Sequence, residues 1–343
     1  MRCPRYNPPG RSQRGAALVV AMLVFAVSAA LVVAMQGEFQ RFYQRHANLL
    51  VAEQAAAYLR GAEDLAGMAL IQDRDNDKNN GRMRDDLTEF WAIPASERPP
   101  YSFEGGWMVG ELEDLQGRFN LNALAERPQQ GEGQPRYTPA QKQFIRLLQA
   151  LGEPALSEYE ARVVTEAIGD WLDADRVPVA DGAEDDYYVA RTPAHRTANR
   201  PMASVSELRA VANVTAELYA ALQPWVTVWP QEPLGLNIHT APAMLLRSIN
   251  SDDSLLPLSE DEAATLVQQR EEAGFLDKAD FLASPVFQGK GEMDEIAGLL
   301  GERSDYFLLR AEAEVADRNM RLYSVLQRRN RRISSLVRAS GSL

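Results

Sequence analysis

The chain has 343 residues, with 36 Lys and Arg against 48 Asp and Glu, a formal charge of −12. That length, with 45% hydrophobic residues, holds about two domains with buried cores and excludes a disordered, collagenous or many-pass membrane protein. The single Cys3 excludes an internal disulfide framework, and the acidic balance argues against unaided binding to nucleic acid.

The charge is segregated. Arg2, Arg5, Arg11 and Arg14 give residues 1–15 a charge of +4, and seven arginines without an acid give +7 from Arg318 onwards, which leaves −23 for residues 16–317. Ala16 to Met35 is twenty residues without a charge. As a helix rising 1.5 Å per residue it spans a bilayer core of about 30 Å. The arginines before it place the N-terminus in the cytoplasm and the remainder outside. A cleaved secretory signal is the competing reading, but its apolar core runs about 7–15 residues and ends in small residues at the cut. Here Glu38, Phe39, Phe42, Leu49, Leu50, Ala56, Leu59 and Leu65 continue a helical pattern, with no proline before Pro94. A helix of about fifty residues is expected, apolar first and amphipathic afterwards.

Asp73 to Gly81 has the look of an EF-hand loop, but its register fails. Counting from Asp73 puts Lys78 and Arg84 where glycine and glutamate are needed, and counting from Asp75 puts Asn80 and Asp86 there. A solvated loop is expected. Trp107–Leu115 alternates as a strand does, as do Tyr306–Val315 and Met320–Gln327, the last two joined by a tight turn at Ala316–Asn319. These strands are expected to share one antiparallel sheet. Between them the pattern reads as short helices: Pro139–Leu151, Ser157–Leu172, Ser204–Val211, Thr215–Leu222, Ala241–Ile249, Ser259–Ala273 and Lys278–Leu282. Ser157 with Glu160, and Ser259 with Glu262, are capping boxes.

After the second of these helices comes a proline- and glycine-rich loop carrying Asp173, Asp175, Asp181, Glu184, Asp185 and Asp186. On the residues alone it is either a solvated acidic surface or a cation site. Calcium suits it better than magnesium, because calcium takes 6–8 oxygens from folded-back carboxylates and carbonyls, whereas magnesium keeps its waters. Further on, Asn237–Ala241, Ala264–Arg270, Phe275 and Phe281 resemble a helix-hairpin-helix scaffold of the kind that grips DNA phosphates. Its connection, Asn250–Ser254, has two acids and no glycine, so a protein-interaction surface is expected instead. Arg328–Arg332 reads as a solvated tail, as a site for anionic lipid, DNA or an acidic partner, or as a contact within the chain or between subunits. No G-x-S-x-G or H-E-x-x-H motif is present, and the three histidines, His46, His195 and His239, form no catalytic pattern. An enzyme is not expected.

Arg14-Gly15-Ala16-Ala17-Leu18-Val19-Val20 resembles a type IV prepilin signal. The resemblance implies cleavage by prepilin peptidase between Gly15 and Ala16 and N-methylation of Ala16. Most pilins and pseudopilins carry glutamate at the fifth mature position, where this chain has Val20. The K component of type II secretion systems characteristically lacks it. Downstream, Gly117–Asn122, Asp170–Asp175, Gly182–Asp185 with Tyr188, Ala198–Arg200, Ser206–Arg209 and Leu236–Ala241 are similar, in order and spacing, to successive motifs of general secretion pathway protein K.

The resemblance implies an α+β fold, with a pilin-like long helix packed on an antiparallel sheet and a large, mainly helical inserted domain. It divides the chain into a leader at 1–15, a transmembrane half-helix at 16–35, a pilin-like domain at 36–123 and 304–343, and an insertion at 124–303 with helix-hairpin-helix-like repeats. It further implies a minor pseudopilin in the inner membrane with a periplasmic body. Such a subunit forms the pseudopilus tip with the I and J pseudopilins and initiates or ends assembly. The other partners implied are further pseudopilins, the inner-membrane assembly platform, secreted substrate and the outer-membrane secretin, with no nucleic acid. It also implies calcium, with Asp173, Asp175, Glu184 and Asp185 as ligands and Asp181, Asp186 and Asn199 as further candidates. The competing function is a membrane-anchored periplasmic calcium-binding protein with a helix-hairpin-helix module, such as a DNA receptor.

Overall fold

The computed structural model describes residues 16–128 and 135–341; Gly15, Cys3 and the basic residues before Ala16 lie outside the described residues. The chain divides into two units, residues 1–57 and 58–343. In the first, every residue from 16 to 36 is helical and exposed, Val20 at 58% among them. A stripe-free apolar surface of this kind is what a bilayer or a bundle of like helices covers.

Helix α1 runs over Ala16–Asn80, beyond the fifty or so residues predicted. In the second unit its later turns put Leu59, Ala62, Ala66 and Leu70 on one face. That face packs on a five-stranded antiparallel sheet. The strands are β1 (Tyr101–Phe103), β2 (Gly106–Asp114), β7 (Tyr306–Val315), β8 (Arg318–Arg329) and β9 (Arg332–Ala339). In β7 the period of two sends Phe307, Leu309, Ala311 and Ala313 to the helix. Leu308 goes to the other face, with Leu115, Val325 and Trp229. The β7–β8 turn holds Ala316 and Asp317 at φ 48° and 61°, the paired positive values that suit a two-residue hairpin.

Asp73–Asn80, expected as a loop, is the end of α1. Gly81, at φ +69°, closes it with a Schellman pair: Arg82 N donates to Asp77 O at 3.0 Å and Gly81 N to Lys78 O at 3.4 Å. Tertiary ion pairs hold these last turns. Arg74 meets Asp305 at 3.1 Å, Arg331 meets Asp75 at 2.9 Å, and buried Arg328 meets Asp73 at 3.2 Å and also contacts Asp85. The Arg328–Arg332 run is therefore the end of β8 and its turn into β9, not a tail. Strand β9 lacks a clean polar–apolar alternation, because Ser335 is half-buried and Leu336 exposed; Ile333 packs over Gly67, and Arg338 donates to Glu63 at 2.7 and 2.9 Å.

Between β2 and β7 lie β3 (Phe119–Asn120), α2 (Pro139–Ala150), α3 (Glu158–Leu172), α4 (Asp185–Val189), α5 (Ala216–Leu222) and β4 (Val226–Thr227). These are followed by β5 (Leu236–Asn237), α6 (Ala243–Leu246), α7 (Glu260–Glu272), α8 (Lys278–Leu282), α9 (Asp294–Ala297) and β6 (Leu300–Gly301). Strands β3–β4 and β5–β6 form short parallel pairs. The fold is thus α+β, with the long helix on an antiparallel sheet and a helical insertion. Thr138–Gln141, Ser157–Glu160 and Ser259–Glu262 close capping boxes. Ser204–Val211 is a 3-10 helix over Val205–Ala210, and Ala241–Ile249 keeps only α6, which starts after Pro242. Asn237 and His239 are buried, and Arg270 donates to Ala241 O at 2.6 Å, so these helix-hairpin-helix positions serve packing.

Where the insertion joins the sheet, buried Asp114 accepts from Ser304 Oγ at 2.6 Å, Thr240 Oγ1 at 2.5 Å, Gln116 N at 2.8 Å and Asn237 Nδ2 at 3.1 Å. Burial lifts its carboxyl to about 6 despite these donors. Asp114→Ala strands three buried donors, Ser304 Oγ, Thr240 Oγ1 and Gln116 N, while Asn237 Nδ2 keeps Asp85 O and Ser304 Oγ, each at 3.0 Å. It is expected to lower unfolding free energy by about 2–4 kcal/mol, read by urea denaturation.

Candidate metal centre

The acidic loop is built from two helix ends. Asp173 is the C-terminal cap of α3, and Glu184 is the extended residue before α4. Between them the chain makes two Asx turns: Asp173 Oδ1 accepts from Asp175 N at 3.2 Å, and Asp175 Oδ1 from Val177 N at 2.8 Å. The fold-back brings carboxylate oxygens of Asp173, Asp175 and Glu184 within 4.8 Å of one another. Two further oxygen positions matter. Glu184 is 4% exposed and its Oε1 is buried without a hydrogen-bond partner, and Asn199 Oδ1 is in the same condition. Asn199 is held there at φ 45°, with its N–H donating to Trp171 O at 3.0 Å and Nδ2 to Asp175 O at 2.6 Å.

The remaining candidates sit differently. Asp185 is the first residue of α4, and its Oδ1 accepts from Thr197 Oγ1 at 3.0 Å and Thr197 N at 3.2 Å; the same hydroxyl donates to Glu184 Oε2 at 2.9 Å. Asp181 and Asp186 are exposed and outside the close group. The loop expected through Asp186 ends sooner, because helix α4 begins at Asp185.

Two charged residues of this centre were missed. Asp170 lies one turn before Asp173 on α3 with its side chain fully buried, accepting from Val179 N at 3.2 Å. Arg127 lies against it, Nη2 to Asp170 Oδ1 at 3.1 Å. The i, i+3 spacing of Asp170 and Asp173 was a usable signal; nothing local marks Arg127. Burial pushes the Asp170 carboxyl up to about 7 and raises Asp173 and Glu184 as well, with repulsion from neighbouring carboxylates adding to it. Carboxylates that resist ionisation while packed together are ones a divalent cation would stabilise, and unpartnered buried oxygens give it ligands. The residues fit calcium.

Gly182 makes the fold-back possible, since a Cβ there would run into the Asp170 carboxylate and lie 2.9 Å from Val179 O. Gly182→Ala is expected to cost about 1–3 kcal/mol of stability, measured by thermal melting. A second close group, Asp73, Asp85 and Glu89, already contains a cation, the buried Arg328 guanidinium. Trp171, ahead of the acidic loop, is core: it meets Tyr188 edge-on at 5.3 Å.

Comparisons agree with this architecture. Residues 117–231 and 236–301 match two family models, both described as type II secretion system (T2SS), protein K. Type II secretion system protein K of Aeromonas hydrophila is 34% identical over 97% of this chain and 99% of its own length. The Klebsiella pneumoniae protein of the same name is 33% identical over 96% and 97%. A solved chain from the crystal structure of the GspK-GspI-GspJ complex of enterotoxigenic Escherichia coli superposes with a TM-score of 0.73 at 29% identity, covering 87% of this chain and 100% of that one. On the extent of these matches, the chain belongs to the type II secretion system protein K family, whose members are structural components of the secretion apparatus and not enzymes.

Proposed function

We propose that this chain is a minor pseudopilin that caps the periplasmic pseudopilus, seated on its I and J counterparts, and starts or ends assembly for export of folded proteins. The observation that carries this is the likeness, at TM-score 0.73 over all of the solved chain, to a protein crystallised with GspI and GspJ. In this reading residues 1–15 are a leader removed between Gly15 and Ala16, the new amino group on Ala16 is methylated, and residues 16–35 lie in the inner membrane. Val20 brings no carboxylate to pair with the N-terminus of a subunit added above, so the filament ends here. It also leaves no unpaired charge among the apolar helices. The sheet with the later half of α1 forms a pilin-like body, and residues 124–303 form the bulky insertion that blocks further addition.

Two experiments test this. Mass spectrometry of the mature chain is expected to find methylated Ala16 at its start; a retained Met1, or a start after Met35, refutes it. Co-purification with the I and J counterparts is expected to give a ternary complex, and no complex refutes the tip role.

Calcium belongs to the same reading. Asp173, Asp175 and Glu184 would hold it, with Asn199 Oδ1 and Asp185 alongside. Bound there, calcium would neutralise the clustered carboxylates and tie the end of α3 to the start of α4.

A further inference from the structure

The acidic centre contains a cation of its own. The Arg127 guanidinium, through Nη2, lies 3.1 Å from Asp170 Oδ1, contacts Asp173 Oδ2, and lies 3.7 Å from Asp175 Oδ1. We propose that Arg127 is the resident counter-cation of this centre and is exchanged for calcium, so that metal enters as the guanidinium withdraws. The inference rests on the calcium reading above and concerns how that site is regulated.

Three features favour exchange over a permanent ion pair. The first is how Arg127 is held. Its ion pairs and its long contact to Val177 O at 3.5 Å run through Nη2 among the described residues, while Nε is buried with no partner there. A guanidinium gains most when its fork makes paired contacts, so Arg127 is held by charge and not by shape. The second is what Arg127 leaves undone. It makes no ion pair with Glu184, whose Oε1 stays unpartnered, as does Asn199 Oδ1. An ion with 6–8 oxygen ligands takes the carboxylates and both orphan oxygens together; one arginine nitrogen takes neither orphan. The third is room. The Arg127 side chain is 29% exposed and lines a cavity of about 650 Å³ with Tyr137, Glu166, Asp175 and Val179, into which it can move without crossing the core.

The exchange has two consequences. Without calcium, Arg127 limits repulsion between Asp173 and Asp175, so the loop keeps its fold. With calcium, the ion must displace a favourable contact, so its affinity is set lower than the ligands alone would give.

Calorimetric titration of calcium chloride into the detergent-solubilised full chain tests this on wild type, Arg127→Gln and Arg176→Gln. Arg176 is an exposed arginine of the same loop and controls for charge at a distance. R127Q is expected to bind calcium about tenfold more tightly than wild type, equivalent to about 1.4 kcal/mol, and to melt lower when calcium-free. R176Q is expected to change affinity less than about twofold, as a solvated charge does. Equal or weaker binding by R127Q, or an equal gain in R176Q, overturns the exchange and leaves the calcium site standing. Absence of calcium binding in all three overturns the calcium assignment itself, and the exchange with it. Should R127Q not fold, phenylglyoxal labelling of the wild-type chain decides. Calcium is expected to raise labelling of Arg127 several-fold, and unchanged or reduced labelling overturns the proposal.

Discussion

Calcium is expected to raise the melting temperature of the detergent-solubilised chain, and Glu184→Gln to abolish the rise. At free calcium a hundredfold above Kd, linkage gives about 2.7 kcal/mol, or about 4–5 °C for a body of this size. The sign in the calcium-free state makes the test specific. Glu184 is buried beside other carboxylates, and burial and that repulsion raise its carboxyl. Neutralising it therefore leaves the calcium-free protein as stable as wild type or more so. A merely structural Glu184 would instead lose stability with and without the ion.

The same centre dictates a pH dependence. Asp170 titrates at about 7 in the fold, against roughly 3.9 unfolded. Between these values the calcium-free fold holds a proton that the unfolded chain has released. Stability from this group is therefore greatest at the acid end and falls as pH rises through the window. Calcium needs ionised ligands, and burial raises the carboxyls of Asp173 and Glu184, so its stabilising increment shrinks as pH falls. Melting curves at several pH values, with calcium and with chelator, should converge towards acid; parallel curves would contradict the assignment.

The second large effect is expected at Arg328. It is 2% exposed, lies with its guanidinium 5.0 Å from the centroid of the Phe307 ring, and donates to Leu70 O at 3.1 Å and Ser304 O at 2.8 Å besides pairing with Asp73 and Asp85. Asp85 is 1% exposed. Arg328→Met removes the only guanidinium paired with Asp73 and Asp85 among the described residues and leaves two acids and two carbonyls behind. The expected loss is about 3–5 kcal/mol. Arg329→Gln, one residue on and exposed, should stay within about 0.5 kcal/mol. Urea unfolding of the two variants separates a buried structural arginine from a generally basic segment, because only the first effect depends on position.

Much of the architecture was legible because it rests on local signals. The apolar run at 16–35, the alternation in Tyr306–Val315 and the Ser–Glu caps of α3 and α7 are written in consecutive residues. Asp173, Asp175 and Glu184 were readable for a similar reason: a helix end, a proline- and glycine-rich return and a second helix start lie within a dozen residues. Asp186 lies outside that close group, and the start of α4 at Asp185 that places it there has no local signal in the sequence. The last two turns of α1 escaped because Asp73–Asn80 looks like a calcium loop, and the ion pairs that keep it helical come from β8, the β8–β9 turn and Asp305.

By itself, then, the sequence determined the membrane-length helix, the order of sheet and insertion, and which acids lie near one another along the chain. Periodicity and capping act over a few residues, and their signals survive in a one-dimensional reading. Only the tertiary structure decided which cations meet those acids. Arg127 reaches Asp170 and Asp173 across the packed insertion, and Arg328 reaches Asp73 and Asp85 from the far end of the chain. Electrostatic partnership depends on distance in space and on burial, neither of which has a period in the sequence.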